Sequence, residues 1–213
     1  MVKKEDIVDI IKSFDGRNNI YTVYTDWVKM SACAIHNATM KLESLENEYK
    51  DIAAKYNKEE LKRFSVALAM LYELAENKYD DYLGSMYMML ESSSKRTGQF
   101  FTPYHISQML ARVAAEPKTE NERLLISEPS CGAGANIIAF LEYCQEKGIN
   151  YQMQYNIVAQ DIDWNCVYMC YVQLSIYGVY GSVVQGDTLA SETQATRHTL
   201  YTPMYHLQRG CVN

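Results

Sequence analysis

The stretch Leu124 to Gly134, LLISEPSCGAG, constrains this chain more than any other. Leu124 to Ser127 is a short apolar run of the kind that forms a buried strand. It leads into acid-Pro-x-x-Gly-x-Gly just before a helical pattern opens at Ala135. Strand, glycine turn and helix in that order build a cradle. Gly132 and Gly134 remove side chains where a ligand approaches the main chain, and the helix start behind them offers N–H groups and a partial positive charge. Such a turn suits a nucleotide-like cofactor. A dinucleotide fingerprint wants a third small residue three positions on, where this chain has Ile137, so NAD is disfavoured. No Lys-Ser or Lys-Thr follows the glycines, so the phosphate loop of nucleotide hydrolases is absent.

Before that turn the sequence reads as helical. Ile7, Val8, Ile10, Ile11 and Phe14 form a stripe that stops at Asp15-Gly16. Tyr24, Trp27, Val28 and Ile35 mark a helix from Ile20, and Leu42, Leu45, Tyr49, Ile52 and Tyr56 mark a third. Asn57 with Glu60 three residues on predicts a capping box opening a helix through Phe64, Leu68, Leu71 and Leu74. Tyr79 to Leu90 is a further apolar helix. The polar break from Ser92 to Lys95 divides a helical domain, 1–92, from a second domain, 93–213.

The 213 residues are 48% hydrophobic and 22% charged, which is an ordinary globular balance with no low-complexity tract. The N-terminus lacks the apolar core of a signal peptide, and no apolar run approaches the roughly 18 residues a membrane span needs, so a cytoplasmic protein is expected. The six cysteines form no CxxC pair, and no metal site is expected. A net charge of −6 does not advertise free-standing binding to a phosphate backbone, which draws on Lys and Arg.

Past the boundary comes Gly98-Gln99-Phe100-Phe101-Thr102-Pro103, in which Thr102 is a good N-cap and Pro103 a preferred first helical residue. After the glycine turn, a helix closes at Gly148 and a second strand, Tyr155 to Gln160, ends in Asp161-Ile162-Asp163. An acid at that strand end can accept both hydroxyls of a ribose; Asp163 on the turn is the alternative. A third strand, Ser182 to Gln185, leads to Gly186-Asp187-Thr188-Leu189.

Together these segments resemble the S-adenosylmethionine (SAM) dependent DNA adenine-N6 methyltransferases, close to the modification subunits of type I restriction-modification systems. The Gly98 hexapeptide resembles that family's motif X, Glu128-Pro129-x-x-Gly132-x-Gly134 its motif I, the run around Asp161 its motif II, and Gly186 to Leu189 its motif III. The resemblance implies an α/β fold, a partial Rossmann-like methyltransferase sheet preceded by a helical N-terminal domain. It implies SAM held by Gly98, Gln99, Phe100, Phe101, Thr102, Pro103, Glu128, Ser130, Gly132, Gly134, Asp161 and Asp187. It also implies DNA as substrate, gripped through a specificity or other subunit, in a homo- or hetero-oligomer.

The resemblance breaks at motif IV. There the family carries Asn or Asp, then Pro-Pro and an aromatic, whose oxygen acceptors receive the N–H bonds of a flipped adenine while the ring stacks on it. After Asp187 this sequence has no Asp, and its only proline is Pro203 in Thr202-Pro203-Met204-Tyr205. Thr202, Pro203 and Tyr205 are the catalytic candidates that remain, beside the reading of that segment as an ordinary turn. Only three strands are legible, whereas the family's sheet continues further. The expectation is a methyltransferase-type protein that binds SAM; the alternative is a catalytically inert SAM-binding or protein-interaction module.

Overall fold

A computed structural model of the chain describes residues 2–14, 19–91, 101–114 and 123–202. Among the described residues five helices precede the polar break: α1 (Lys4–Lys12), α2 (Ile20–Met40), α3 (Glu43–Ala53), α4 (Lys58–Asn77) and α5 (Tyr82–Glu91). The expected capping box opens α4: Glu60 N–H donates to Asn57 Oδ1 at 2.9 Å, and Asn57 N–H donates to Glu60 Oε2 at 2.7 Å. Helix α2 buries Val23, Tyr24, Trp27, Val28, Met30 and Ile35, so it lies inside the helical layer.

Next come α6 (Tyr104–Ala114), β1 (Leu124–Glu128), α7 (Ala135–Glu146), α8 (Tyr151–Gln154), β2 (Tyr155–Asp161), α9 (Trp164–Ile176), β3 (Gly181–Gln185) and β4 (Ala195–His198). Helix α6 starts one residue later than its sequence suggests, because the N–H groups of Ile106 and Ser107 donate to Pro103 O at 2.8 and 3.2 Å. The sheet runs β1-β2-β3-β4, parallel for the first three strands and antiparallel at β4. Parallel register pairs Glu128 with Ala159 and Asp161 with Gln185, so the carboxyl ends of the three parallel strands share one edge.

Strand β4 is the element that periodicity missed. It is short and carries Arg197, a residue that ordinarily argues against burial. Arg197 is nevertheless 9% exposed: its guanidinium lies over the rings of Tyr168 and Trp164 and reaches Glu48 at 3.8 Å. Glu48 also receives Lys29 Nζ at 2.7 Å and the Tyr168 hydroxyl at 3.2 Å, which joins α2, α3, α9 and β4. Burial, the largest single effect, raises the Glu48 pKa, but Lys29, Cys33 and Arg197 together outweigh it and hold the carboxyl below its ordinary value.

Helix α9 is buried from Cys166 through Ser175 because it lies between the sheet and α2. One apolar cluster runs from Ile7 and Trp27 through Leu83 and Tyr171 to Ile157 and Val183, so the helical layer and the sheet share a core. Two polar groups inside that contact are paired: Tyr24 Oη donates to Leu83 O at 2.6 Å, and His36 Nδ1 lies 3.1 Å from Tyr171 Oη. The division expected near residue 92 falls at 92–100, outside the described residues, and the packing on either side of it is continuous. Among the described residues no helix is long and apolar enough to cross a membrane.

Candidate cofactor site

The glycine turn is built by main-chain bonds that reach across to β2. Cys131 N–H donates to Gln160 O at 2.8 Å, and Gly132 N–H donates to Asp161 Oδ2 at 2.9 Å. The second oxygen of Asp161 accepts Asp163 N–H at 2.9 Å. Asp161 thus braces the turn from the carboxyl end of the neighbouring strand, with lone pairs left over for a ligand, since a carboxylate offers about four acceptor sites. Asp163 is occupied differently: its Oδ1 accepts Asn165 N–H at 2.8 Å and caps α9.

Gly132 has φ +52°, and a Cβ there would stand 3.1 Å from Phe101 Cδ1, so the glycine lets the aromatic ring close on the turn. Glu128 holds the turn from its other side, accepting Ser130 N–H at 3.4 Å and Asn136 Nδ2–H at 3.2 Å. The cavity over the turn has a volume of about 170 Å³ and is lined by Phe101, Thr102, Ser130, Gly132, Asn136 and Asp161, together with Asp81, Cys131, Ala133 and Ala135. A neighbouring cavity of about 430 Å³ shares Asp81, Phe101 and Thr102 and continues to Pro103, Tyr104, Met88 and Met89. Asn136 Oδ1 is buried with no hydrogen-bond partner, an acceptor left over on the cavity lining.

The sequence-predicted residues therefore separate into groups. Phe101, Thr102, Ser130, Gly132 and Asp161 meet at the first cavity, and Pro103 lines the second. Glu128 acts behind the turn. Asp187 Oδ1 accepts Leu189 N–H at 2.9 Å and Ala190 N–H at 3.1 Å, so it orders its own loop, and Thr188 Oγ1 donates to Pro129 O at 2.7 Å, which ties that loop to the glycine turn. Gly134 is not on the cavity lining. It has φ +101°, and a Cβ there would meet Cys170 Sγ at 3.2 Å, so its role is close packing of the start of α7 on α9. Gly98, Gln99 and Phe100 lie outside the described residues.

Thr202, expected as a catalytic candidate, is placed elsewhere. Its buried hydroxyl lies 2.9 Å from both Gly181 N and Gly181 O and 3.0 Å from Thr199 Oγ1. Gly181 begins β3, so Thr202 closes the amino end of the strand whose carboxyl end points to the cavity. Pro203 and Tyr205 lie outside the described residues.

Asp81, Gln173 and Asn136 were not found by sequence reasoning. Asp81 is 4% exposed; its Oδ1 accepts Gly84 N–H at 2.9 Å and Gln173 Nε2–H at 2.8 Å. Gln173 Nε2 donates also to Ala133 O at 2.8 Å, linking Asp81 to the glycine turn. Burial pushes the Asp81 carboxyl above its ordinary range, against the two hydrogen bonds. The available signal was an acid beside a glycine, Asp81-x-x-Gly84, inside an otherwise apolar segment. A hydrogen bond with the Cys170 thiol, then burial, push the Cys131 thiol well above the usual range.

A mixed sheet, parallel from β1 to β3, with a glycine turn after its first strand and an acid at the end of the next is a Rossmann-like α/β arrangement. The family model described as N-6 DNA Methylase matches residues 77–202, more than half of the sequence, and the chain belongs to that family. No curated protein matches. Among solved structures, a Listeria monocytogenes protein assigned to the class I SAM-dependent methyltransferases is similar with a TM-score of 0.50 at 12% identity, over 89% of this chain and 55% of its own. The methyltransferase subunit of a type I restriction-modification system from Streptococcus thermophilus is similar with a TM-score of 0.46 at 13% identity, over 89% of this chain and 58% of its own. The chain thus spans little more than half the length of either.

Proposed function

We propose that this chain is a SAM-dependent methyltransferase-type protein acting on adenine N6 in DNA, of the kind found as restriction-modification modification subunits, and that it carries the cofactor half of the site. The observation that carries the reading is the convergence of Phe101, Gly132 and Asp161 on one cavity at the carboxyl ends of β1 and β2, with Asn136 Oδ1 still unpartnered. Asp161 receives the ribose hydroxyls while holding the turn. Phe101 covers the adenosyl group, and Thr102 and Ser130 add hydroxyls beside it. SAM, once bound, supplies an electrophilic methyl group. Asp187, in a loop pinned to Pro129, is the acid for the adenine edge.

DNA is the substrate this family membership suggests, and with a net charge of −6 the grip on it comes from a specificity or other subunit. A cytoplasmic location is part of this reading. The chain's own residues favour binding over turnover, because Thr202, the one described motif IV candidate, is committed to Gly181. That observation gives the second reading, an inert SAM-binding or interaction module, its support. A thermal-shift panel tests the cofactor assignment: SAM and S-adenosylhomocysteine should raise the melting temperature, while NAD and ATP leave it unchanged. Stabilisation by NAD or ATP alone would overturn it.

A further inference from the structure

We infer that Asp81 is the acceptor for the ammonium group at the amino-acid end of an adenosyl ligand, which makes the cavity selective for cofactors with a charged amino-acid tail. The inference rests on the SAM reading above and assigns a residue to its other end. Asp81 lines the same cavity as Gly132 and Asp161, yet it comes from α5's approach in the helical layer, not from the sheet. It is almost wholly buried, and among the described residues no basic side chain forms an ion pair with it. Burying a carboxylate without an ion-pair partner is costly, which is why burial raises the Asp81 pKa, and a cation bound beside it offsets that cost.

The surroundings position Asp81, and Lys4, a basic group whose charge bears on it, forms no ion pair with it and lies against Ser85 Oγ at 3.4 Å. Gly84 makes the room, since a Cβ there would overlap Asp81 Oδ2, and Gln173 Nε2 fixes Oδ1 while donating also to Ala133 O in the turn. Among the described residues none on the cavity lining is basic, and Asn136 Oδ1 is a leftover acceptor. Two acids, a spare amide oxygen and, among the described residues, no cation on the lining make a cavity that selects a ligand bringing positive charge. With Asp161 taking ribose hydroxyls, Asp81 takes the tail ammonium, and the tail carboxylate falls to N–H groups at the start of α7, which no side chain caps.

The test compares S-adenosylhomocysteine, its deaminated analogue lacking only the ammonium, and 5′-methylthioadenosine lacking the whole tail, by calorimetry at pH 7.5. On the natural chain the deaminated analogue should bind at least tenfold more weakly than S-adenosylhomocysteine. Asp81→Asn keeps both hydrogen-bonding positions and removes the charge; it should weaken S-adenosylhomocysteine at least tenfold and leave methylthioadenosine within twofold. Equal affinity of the natural chain for the first two ligands overturns the inference, and that comparison needs no variant. Equal weakening of S-adenosylhomocysteine and methylthioadenosine by Asp81→Asn also overturns it, since that is the mark of a purely structural residue. If the natural chain binds none of the three, the SAM reading itself fails and this inference falls with it.

Discussion

Gly132 N–H donates to Asp161 Oδ2 at 2.9 Å, so the acid at the end of β2 and the turn after β1 form one unit. Any change at Asp161 is felt twice, once in the turn and once in the ligand. Asp161→Ala should weaken S-adenosylhomocysteine by about 1.5–3 kcal/mol, the range for hydrogen bonds to a charged group, and should also lower the urea midpoint. Asp163→Ala removes only the cap of α9, costing about 1 kcal/mol of stability and leaving affinity unchanged. Calorimetry and urea titration on both variants separate the two acids; an unchanged affinity in Asp161→Ala with a loss in Asp163→Ala would move the ribose role to Asp163.

The two glycines of the turn differ in kind. Gly134→Ala places a Cβ 3.2 Å from Cys170 Sγ at φ +101°, so it should cost about 1–3 kcal/mol of stability before affecting ligand. Gly132→Ala pushes on the Phe101 ring and should reduce affinity more than stability. Urea titrations alongside ligand titrations distinguish these outcomes.

His36 makes stability depend on pH. Burial, then the charges of Arg197 and His198, lower its pKa from 6.5 to about 4. Between those values the unfolded chain binds the proton and the folded chain does not, so this contribution is complete above pH 6.5 and is lost as pH falls toward 4. The loss is about 1 kcal/mol or less per pH unit after allowing for solvent screening. His36→Gln should flatten that part of the profile, seen as a smaller drop in urea stability between pH 6.5 and 5; an unchanged slope would remove His36 as the cause.

What was legible in the sequence was what local spacing encodes. The capping box at Asn57 and Glu60, the glycine turn, and Asp161 at a strand end all announce themselves within a few residues. Asp81 did not, because its meaning comes from Gln173 and Ala133, far along the chain, which bring it to the turn. Strand β4 was hidden for the same reason: Arg197 is buried only because Glu48, Trp164 and Tyr168 receive it. Gly134 was recognised as a special position but given to the ligand, when its neighbour is Cys170.

Thr202 marks the limit of the motif IV comparison. Thr202→Val keeps the shape and removes a hydroxyl that bonds Gly181, so it should cost about 1–3 kcal/mol of stability while leaving cofactor affinity unchanged. Tritiated-methyl transfer from SAM to unmethylated DNA should sit near background for this chain alone, with or without the substitution. Robust N6-methyladenine formation by the natural chain, abolished in the variant with its fold intact, would restore Thr202 to the chemistry.

The central claim is that the cavity between Phe101, Gly132 and Asp161 holds an adenosyl cofactor. Isothermal titration of S-adenosylhomocysteine into the natural chain tests it most directly. Saturable binding at one site per chain with a Kd well below millimolar is expected, weakened roughly ten- to a hundredfold in Asp161→Ala, as the loss of a charged hydrogen bond implies. Absence of saturable heat at millimolar ligand, from a chain shown to be folded by its cooperative urea transition, would contradict it.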